Sequence, residues 1–258
     1  MKHSFLDQYS DGDSLVHKLD PRTKFIGIMF FVLALYLTPP GRWPAFAVYF
    51  GLIATLIIIS RVPIIYVFKR SLVVVPFVLL IAIFIPFFRE GEVVGSYSIW
   101  RWQVSVTDSG LQVLANILAK AWLCILGLVL LSATTRMTSL LQGLEQLRLP
   151  QVMCLILSFM YRYLFVLVDE AMRMKQAWDS RHFGGSRLRQ LRTIGNMTGT
   201  LFIRSYERGE RVYAAMLARS FDGQSRTLNR LAFSAADTFF GIGFGLALMA
   251  TSIFSRLL

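Results

Sequence analysis

The chain has 258 residues, 55% of them hydrophobic and only 16% charged, with a net charge of +12. Soluble domains usually carry about 25% charged residues, so the composition excludes an ordinary soluble fold. The basic residues border apolar runs, which makes them an orientation signal in a membrane protein and excludes a nucleic-acid partner.

The first 24 residues are polar and contain no signal-peptide core. The first apolar run, Phe25 to Leu37, is therefore expected to act as the insertion signal. Lys18, Arg22 and Lys24 place the N-terminus inside. Thr38 to Pro44, TPPGRWP, is a turn, with Trp43 suited to the interface. The second run is Ala45 to Ser60, followed by Arg61, Lys69 and Arg70. The third is Ser71 to Phe88, where Pro76 and Pro86 mark kinks or ends. Arg89 to Ser109 is polar, and its alternating centre, SYSIWRWQVSV, reads as a short hairpin or an interfacial loop. The fourth run is Leu111 to Ala133, capped by Asp108 or Ser109. Within it, Lys120 is an intramembrane charge that is either functional or paired with a backbone carbonyl. The last run is Ala232 to Phe254, where Gly241, Gly243 and Gly245 allow close approach of a neighbour. Cys124 and Cys154 lie in apolar stretches and read as core residues, not as a disulfide or metal pair.

Pro150 to Val168 is also about the length of a span, but charge parity argues against a crossing. Asp169 to Arg230 holds twelve Lys or Arg against six Asp or Glu, and a fifth crossing before it would place that surplus outside. Arg162 inside the stretch adds to the cost of burial in lipid. The expectation is five spans, with Pro150 to Val168 in the interface or covered by protein, and six spans as the alternative.

The basic segment itself reads as two long helices. One covers Met153 to Trp178 and stops before Gly184 and Gly185. The other, amphipathic, runs from about Leu188 to Leu217 and stops at Asp222-Gly223. Each ends on an arginine between small or polar neighbours: Ser180-Arg181-His182 and Ala218-Arg219-Ser220. A C-terminal arginine suits the helix dipole. Its planar fork also grips carboxylates bidentately, which lysine does not do, so two such ends suit acidic grooves on a partner. Asp169 or Glu170 with Arg173, and Glu207 or Glu210 with Arg211, read as ion pairs along one helix.

Four stretches carry a family resemblance: HKLDPRTK (His17 to Lys24), LSATTRMTSLLQGLEQLRLP (Leu131 to Pro150), YRYLFVLVDEAMRMKQAWDSRHFGG (Tyr161 to Gly185) and RSYERGERVYAAMLARSFDG (Arg204 to Gly223). Together they resemble the transmembrane T component of energy-coupling factor (ECF) transporters, closest to the cobalt/nickel (CbiQ) type. The resemblance implies a non-catalytic subunit that couples two ABC-type ATPase subunits to a separate substrate-binding membrane subunit. Arg181 and Arg219 match the family's two ATPase-inserting arginines. The usual Ala-Arg-Gly is altered here by Ser180 and His182 at the first site and by Ser220 after Ala218-Arg219 at the second. Met153, Leu157, Met160, Tyr161 and Phe165 are the residues that would dock the substrate subunit. No cofactor is expected on this chain, and ATP would sit on the partner subunits.

The fold class is thus all-α: a polytopic membrane protein with long amphipathic cytoplasmic coupling helices. Residues 1–136 hold the N-terminal membrane helices, 137–230 the coupling module and 231–258 the C-terminal membrane helix. The expected location is the cell inner (cytoplasmic) membrane. The three histidines, His3, His17 and His182, have no metal-ligand spacing, and no G-x-x-x-x-G-K-[ST] loop for ATP occurs. A membrane-embedded lipid-modifying enzyme would need clustered carboxylates or a catalytic His or Cys. A stand-alone permease would need polar midplane residues, and only Asn116 and Lys120 offer them. Cargo is open between cobalt, nickel and another micronutrient such as a vitamin.

Overall fold

The computed structural model describes residues 12–88, 93–99, 102–181, 187–223 and 233–257. Eleven helices and one hairpin occur among them. In chain order they are α1 (Leu15–Lys18), α2 (Pro21–Leu37), α3 (Trp43–Ser60), α4 (Ile64–Leu72), α5 (Val75–Ala82), α6 (Ile85–Phe88), β1 (Val93–Ile99), β2 (Trp102–Thr107), α7 (Asp108–Thr134), α8 (Met137–Gln146), α9 (Gln151–Arg181), α10 (Arg187–Leu217) and α11 (Ala235–Leu257). They fall into two compact units. One lies within Leu144–Arg230, and the other combines Lys2–Gly143 with Leu231–Leu258.

In the larger unit α7 is the central post, packed by α2, α3, α4, α5 and α6. Phe31, Leu35, Tyr49, Ile53, Leu123, Leu126 and Leu130 form its buried core. Phe31 meets Tyr49 edge-on at 5.9 Å. Trp122 on α7 stacks on Phe50 at 5.7 Å and meets Phe68 edge-on, while its indole N–H donates to Ser71 Oγ at 3.3 Å. One aromatic side chain thereby ties α3 and α4 to the post.

At the end of the polar stretch, Asp20 and Lys24 enter a buried knot. Asp20 caps α2, accepting from Arg22 N at 2.9 Å, with Pro21 opening the helix. That order follows from proline's fixed φ and missing N–H. Asp20 N donates to Asp237 Oδ1 at 2.7 Å. Asp237 Oδ2 accepts from Ser234 N at 2.8 Å, a capping box at the start of α11. Lys24, one residue before the apolar run of α2, donates to His17 O at 3.1 Å and Thr134 O at 3.0 Å. Its burial lowers its pKa to about 8, against the opposing pull of Asp237 and Asp20. A single polar cluster thus joins α2, the end of α7 and the start of α11.

Several expectations change. The third run, expected from Ser71, starts earlier, at Ile64: Lys69 and Arg70 form the last turn of α4, where cations meet the negative helix end. Pro76 and Pro86 sit in the first turns of α5 and α6, just after breaks at 73–74 and 83–84, so they mark kinks in the run as expected. The cap of α7 is Thr107, not Asp108 or Ser109. Thr107 Oγ1 donates to Pro86 O at 3.1 Å instead of capping by its side chain. Of the three α11 glycines only Gly241 faces a neighbour: a Cβ there would lie 3.7 Å from the Thr23 methyl of α2. Gly243 and Gly245 face open space. The alternating segment does form a hairpin, pairing Ile99 with Trp102 and Val93 with Thr107.

The chain is a multi-pass membrane protein. Among the described residues five helical stretches are long and apolar enough to cross a bilayer: Trp43–Ser60, Ile64–Ala82, Asp108–Thr134, Gln151–Arg181 and Ala235–Ser255. The membership differs from that expected. Gln151–Arg181 is included because its apolar and polar parts form one uninterrupted helix. The run at Phe25 lies in α2, whose 17 residues reach only about 26 Å at ~1.5 Å per residue, against a core of ~30 Å.

Lys120 has a structural assignment. Its ammonium donates to Tyr36 O at 3.2 Å and Thr38 O at 2.7 Å, capping the C-terminal end of α2 as its dipole favours. Lys120→Met is expected to lower stability by about 2 kcal/mol, the range for hydrogen bonds to a charged group. A shift in thermal unfolding of the purified chain would register it. Cys124 is half-buried, Cys154 is buried, and both are free thiols.

Candidate functional site

The smaller unit carries the two long helices and the two terminal arginines. Its entry is a tight stop at the end of α8. Arg148 has a left-handed φ of 69°, and Leu149 N donates back to Leu144 O at 3.3 Å. Pro150 follows, so the chain leaves one helix and starts the next within a few residues.

α9 runs 31 residues and α10 another 31, about 46 Å each. The expected ends, Met153 to Trp178 and Leu188 to Leu217, fall inside or within one residue of these bounds. Arg181 is the last residue of α9 and is exposed. Ser180 beside it turns its hydroxyl inward, donating to Ala177 O at 3.0 Å. His182, Gly184 and Gly185 lie outside the described residues, as does His3.

The end of α10 is fully defined. Ser220 N donates to Leu217 O at 3.0 Å and Phe221 N to Met216 O at 3.1 Å, the bonding of a Schellman motif. This makes Arg219 the C-cap and puts Ser220 in the left-handed conformation, φ 56°. Glycine is the residue such a position favours, because a Cβ crowds the carbonyl there. The backbone therefore takes the glycine geometry although the residue is serine. Ala218 and Arg219 are exposed on the same turn. Ser220→Gly is expected to stabilise this turn by about 1 kcal/mol, the scale of the left-handed penalty. Slower amide exchange at Ser220 and Phe221 would show it.

The two helices meet midway. Arg204 Nη1 on α10 donates to Glu170 Oε1 on α9. Arg173 Nη2 lies 3.7 Å from the other oxygen of the same carboxylate. The hydrogen bond from Arg204 holds the Glu170 carboxyl below its usual range, and Arg204, Arg173 and Arg208 act the same way by charge. The expected Glu170–Arg173 pair is present, but the bond to Arg204 across the helices was not legible from spacing on one helix. Glu207 pairs with Arg211 at 3.8 Å. Beyond the crossing, Met174 and Trp178 of α9 face Ile194, Met197 and Leu201 of α10 across a cleft. Later residues of α9 thus meet earlier ones of α10, the sense of a helical hairpin. Arg181 lies eleven residues past Glu170 and Arg219 fifteen past Arg204, about 16 Å and 22 Å along their helices. The two arginines sit on arms that leave the crossing in opposite senses.

The apolar face of α9 is open. Val152, Met153, Ile156, Met160, Leu164, Val168 and Met172 are all exposed, and Cys154 is the buried residue of the helix. Of the candidate docking residues, Met153 and Met160 lie on this stripe. Leu157, Tyr161 and Phe165 are half-buried beside it, the last two packed edge to face at 5.2 Å. Among the described residues no group of three or more His, Cys, Asp or Glu side chains could hold a metal ion.

Residues 12–228 match the family described as cobalt transport protein, CbiQ. The energy-coupling factor transporter transmembrane protein EcfT of Clostridium kluyveri is 27% identical, over 100% of this chain and 98% of its own length. That of Listeria innocua is 27% identical over 90% of each chain. A fused cobalt transport protein, CbiMQ, of Methanocorpusculum labreanum is 26% identical over 86% of this chain and 38% of its own length. The chain belongs to the CbiQ family of cobalt transport proteins, the type of transmembrane T component that its sequence resembles.

Proposed function

We propose that this chain is the coupling subunit of an ECF-type importer for cobalt, carrying ATP-driven motion from two ATPase subunits to a substrate-binding membrane subunit. The observation that carries this reading is the pair of exposed arginines, Arg181 and Arg219, each closing a 31-residue helix of one unit. Each guanidinium is free to enter an acidic groove on a separate ATPase, with the helix behind it as a lever. ATP binding draws the two ATPases together and displaces the arms. The apolar stripe of α9 then shifts against the substrate subunit, which needs an apolar partner surface of this kind.

In this reading α2 crosses as a short span where the bilayer thins and α9 does not cross. Four crossings (α2, α3, α4–α5 and α7) then return the chain to the side it began on. The N-terminus and the α9–α10 unit are cytoplasmic, since twelve basic residues in Asp169 to Arg230 favour that side. This chain binds no cofactor itself, and ATP stays on the partners. Cobalt as cargo is supported by the family's description and by the name of the archaeal fused relative.

The test is reconstitution of the chain with its ATPases and substrate subunit in vesicles, followed by uptake of radioactive cobalt. ATP-dependent cobalt accumulation that requires this chain supports the proposal. Accumulation of a vitamin or of nickel in place of cobalt would reassign the cargo. ATP-independent uptake by the chain alone would overturn the coupling role.

A further inference from the structure

The two arms are useful as levers only if something fixes the angle at which they cross. Near the hairpin end Met174, Trp178, Ile194 and Met197 line a cleft between the arms. The direct bond between the arms is polar. Glu170 receives Arg204 across the helices, has Arg173 at 3.7 Å and lies in the field of Arg208.

A surface ion pair usually contributes little, because two long side chains lose freedom and water screens the charges. This one differs in a measurable way. The Glu170 side chain is only 15% exposed, against 55% for Arg204. In the pair the carboxylate is largely covered, its arginine partners included, and water reaches it less than it reaches an open surface pair.

We infer that Glu170 and Arg204 are the fulcrum of the two arms, positioning residues that hold the crossing angle so that displacement at Arg181 and Arg219 moves the α9 face. Without the pair, α10 slides along α9 and the displacement is dissipated. The inference rests on the coupling role proposed above.

The test compares Glu170→Gln, Arg204→Gln and the double variant in the complete reconstituted complex. In each single variant the ATPases still co-purify, because Arg181 and Arg219 are untouched, while cobalt taken up per ATP hydrolysed falls about tenfold. The double variant is no worse than the weaker single one, because both changes remove the same interaction. Glu170→Asp, which keeps the charge on a shorter arm, retains more coupling than Glu170→Gln, a rescue that loss of packing would not give. Unchanged uptake per ATP in the single variants, or additive losses in the double, would overturn the fulcrum while leaving the coupling role intact. Failure of the wild-type complex to assemble would instead remove the coupling role, and the fulcrum with it.

Discussion

Replacing both Arg181 and Arg219 by glutamate is expected to abolish recovery of the ATPase subunits with this chain. Each guanidinium is read as a charged plug in an acidic groove. Removing one partner of such a desolvated pair typically costs about 2–5 kcal/mol, and reversing the charge adds repulsion. At 1.4 kcal/mol per tenfold, each single variant should weaken ATPase binding by at least about 30-fold. The two sites lie on separate arms, so the losses should add in the double variant. Arg→Lys at each site separates charge from geometry. Lysine keeps the charge but loses the bidentate fork, so an intermediate loss is the expected result. Quantitative pull-down from detergent-solubilised membranes reads all of these. The chain itself should fold as before, since both arginines are exposed at helix ends.

The second large effect is structural. Asp237→Ala should lower stability by about 3–5 kcal/mol, the usual cost of breaking a buried charged network. Asp237 is 2% exposed, Asp20 5% and Lys24 6%. Its removal strands Asp20 N and Ser234 N without their acceptors and takes one of two carboxylates from the field of Lys24. At about 2–4 °C per kcal/mol for a chain of this size, the midpoint of thermal unfolding should fall on the order of 10 °C. Asp237→Asn keeps acceptor capacity without the charge and should fall less. Equal losses for Ala and Asn would assign the whole effect to charge. No loss in either would show that the cluster contributes nothing to stability.

The features legible in the sequence were those written in local pattern. The 3.6-residue repeat and the glycine and proline stops gave α9 to within three residues and α10 to within one, and a backbone partner was one of the two readings left open for Lys120. The features missed depend on contacts distant in the chain. Glu170 and Arg204 are 34 residues apart, so helical spacing pairs Glu170 only with Arg173. Lys24 reaches Thr134, and Asp20 reaches Asp237, across 110 and 217 residues. HKLDPRTK was recognisable as a motif, yet nothing in it names those partners. The start of the third span was placed at Ser71 because Lys69 and Arg70 interrupt the apolar run, whereas they close the last turn of an amphipathic helix. The left-handed serine was hidden for a different reason. Ser220 carries no sequence mark of positive φ, and only the glycine of the family's usual pattern hinted at it.

The central claim is that ATP moves the two arginine-tipped arms. Spin labels at Asp179→Cys and Ala215→Cys, both exposed and each just ahead of its arginine, report the separation of the arms once Cys124 and Cys154 are replaced by alanine. In the assembled complex the distance distribution should shift when a non-hydrolysable ATP analogue is added and return on its removal. An unchanged distribution, with the ATPases bound and occupied by nucleotide, would contradict the account.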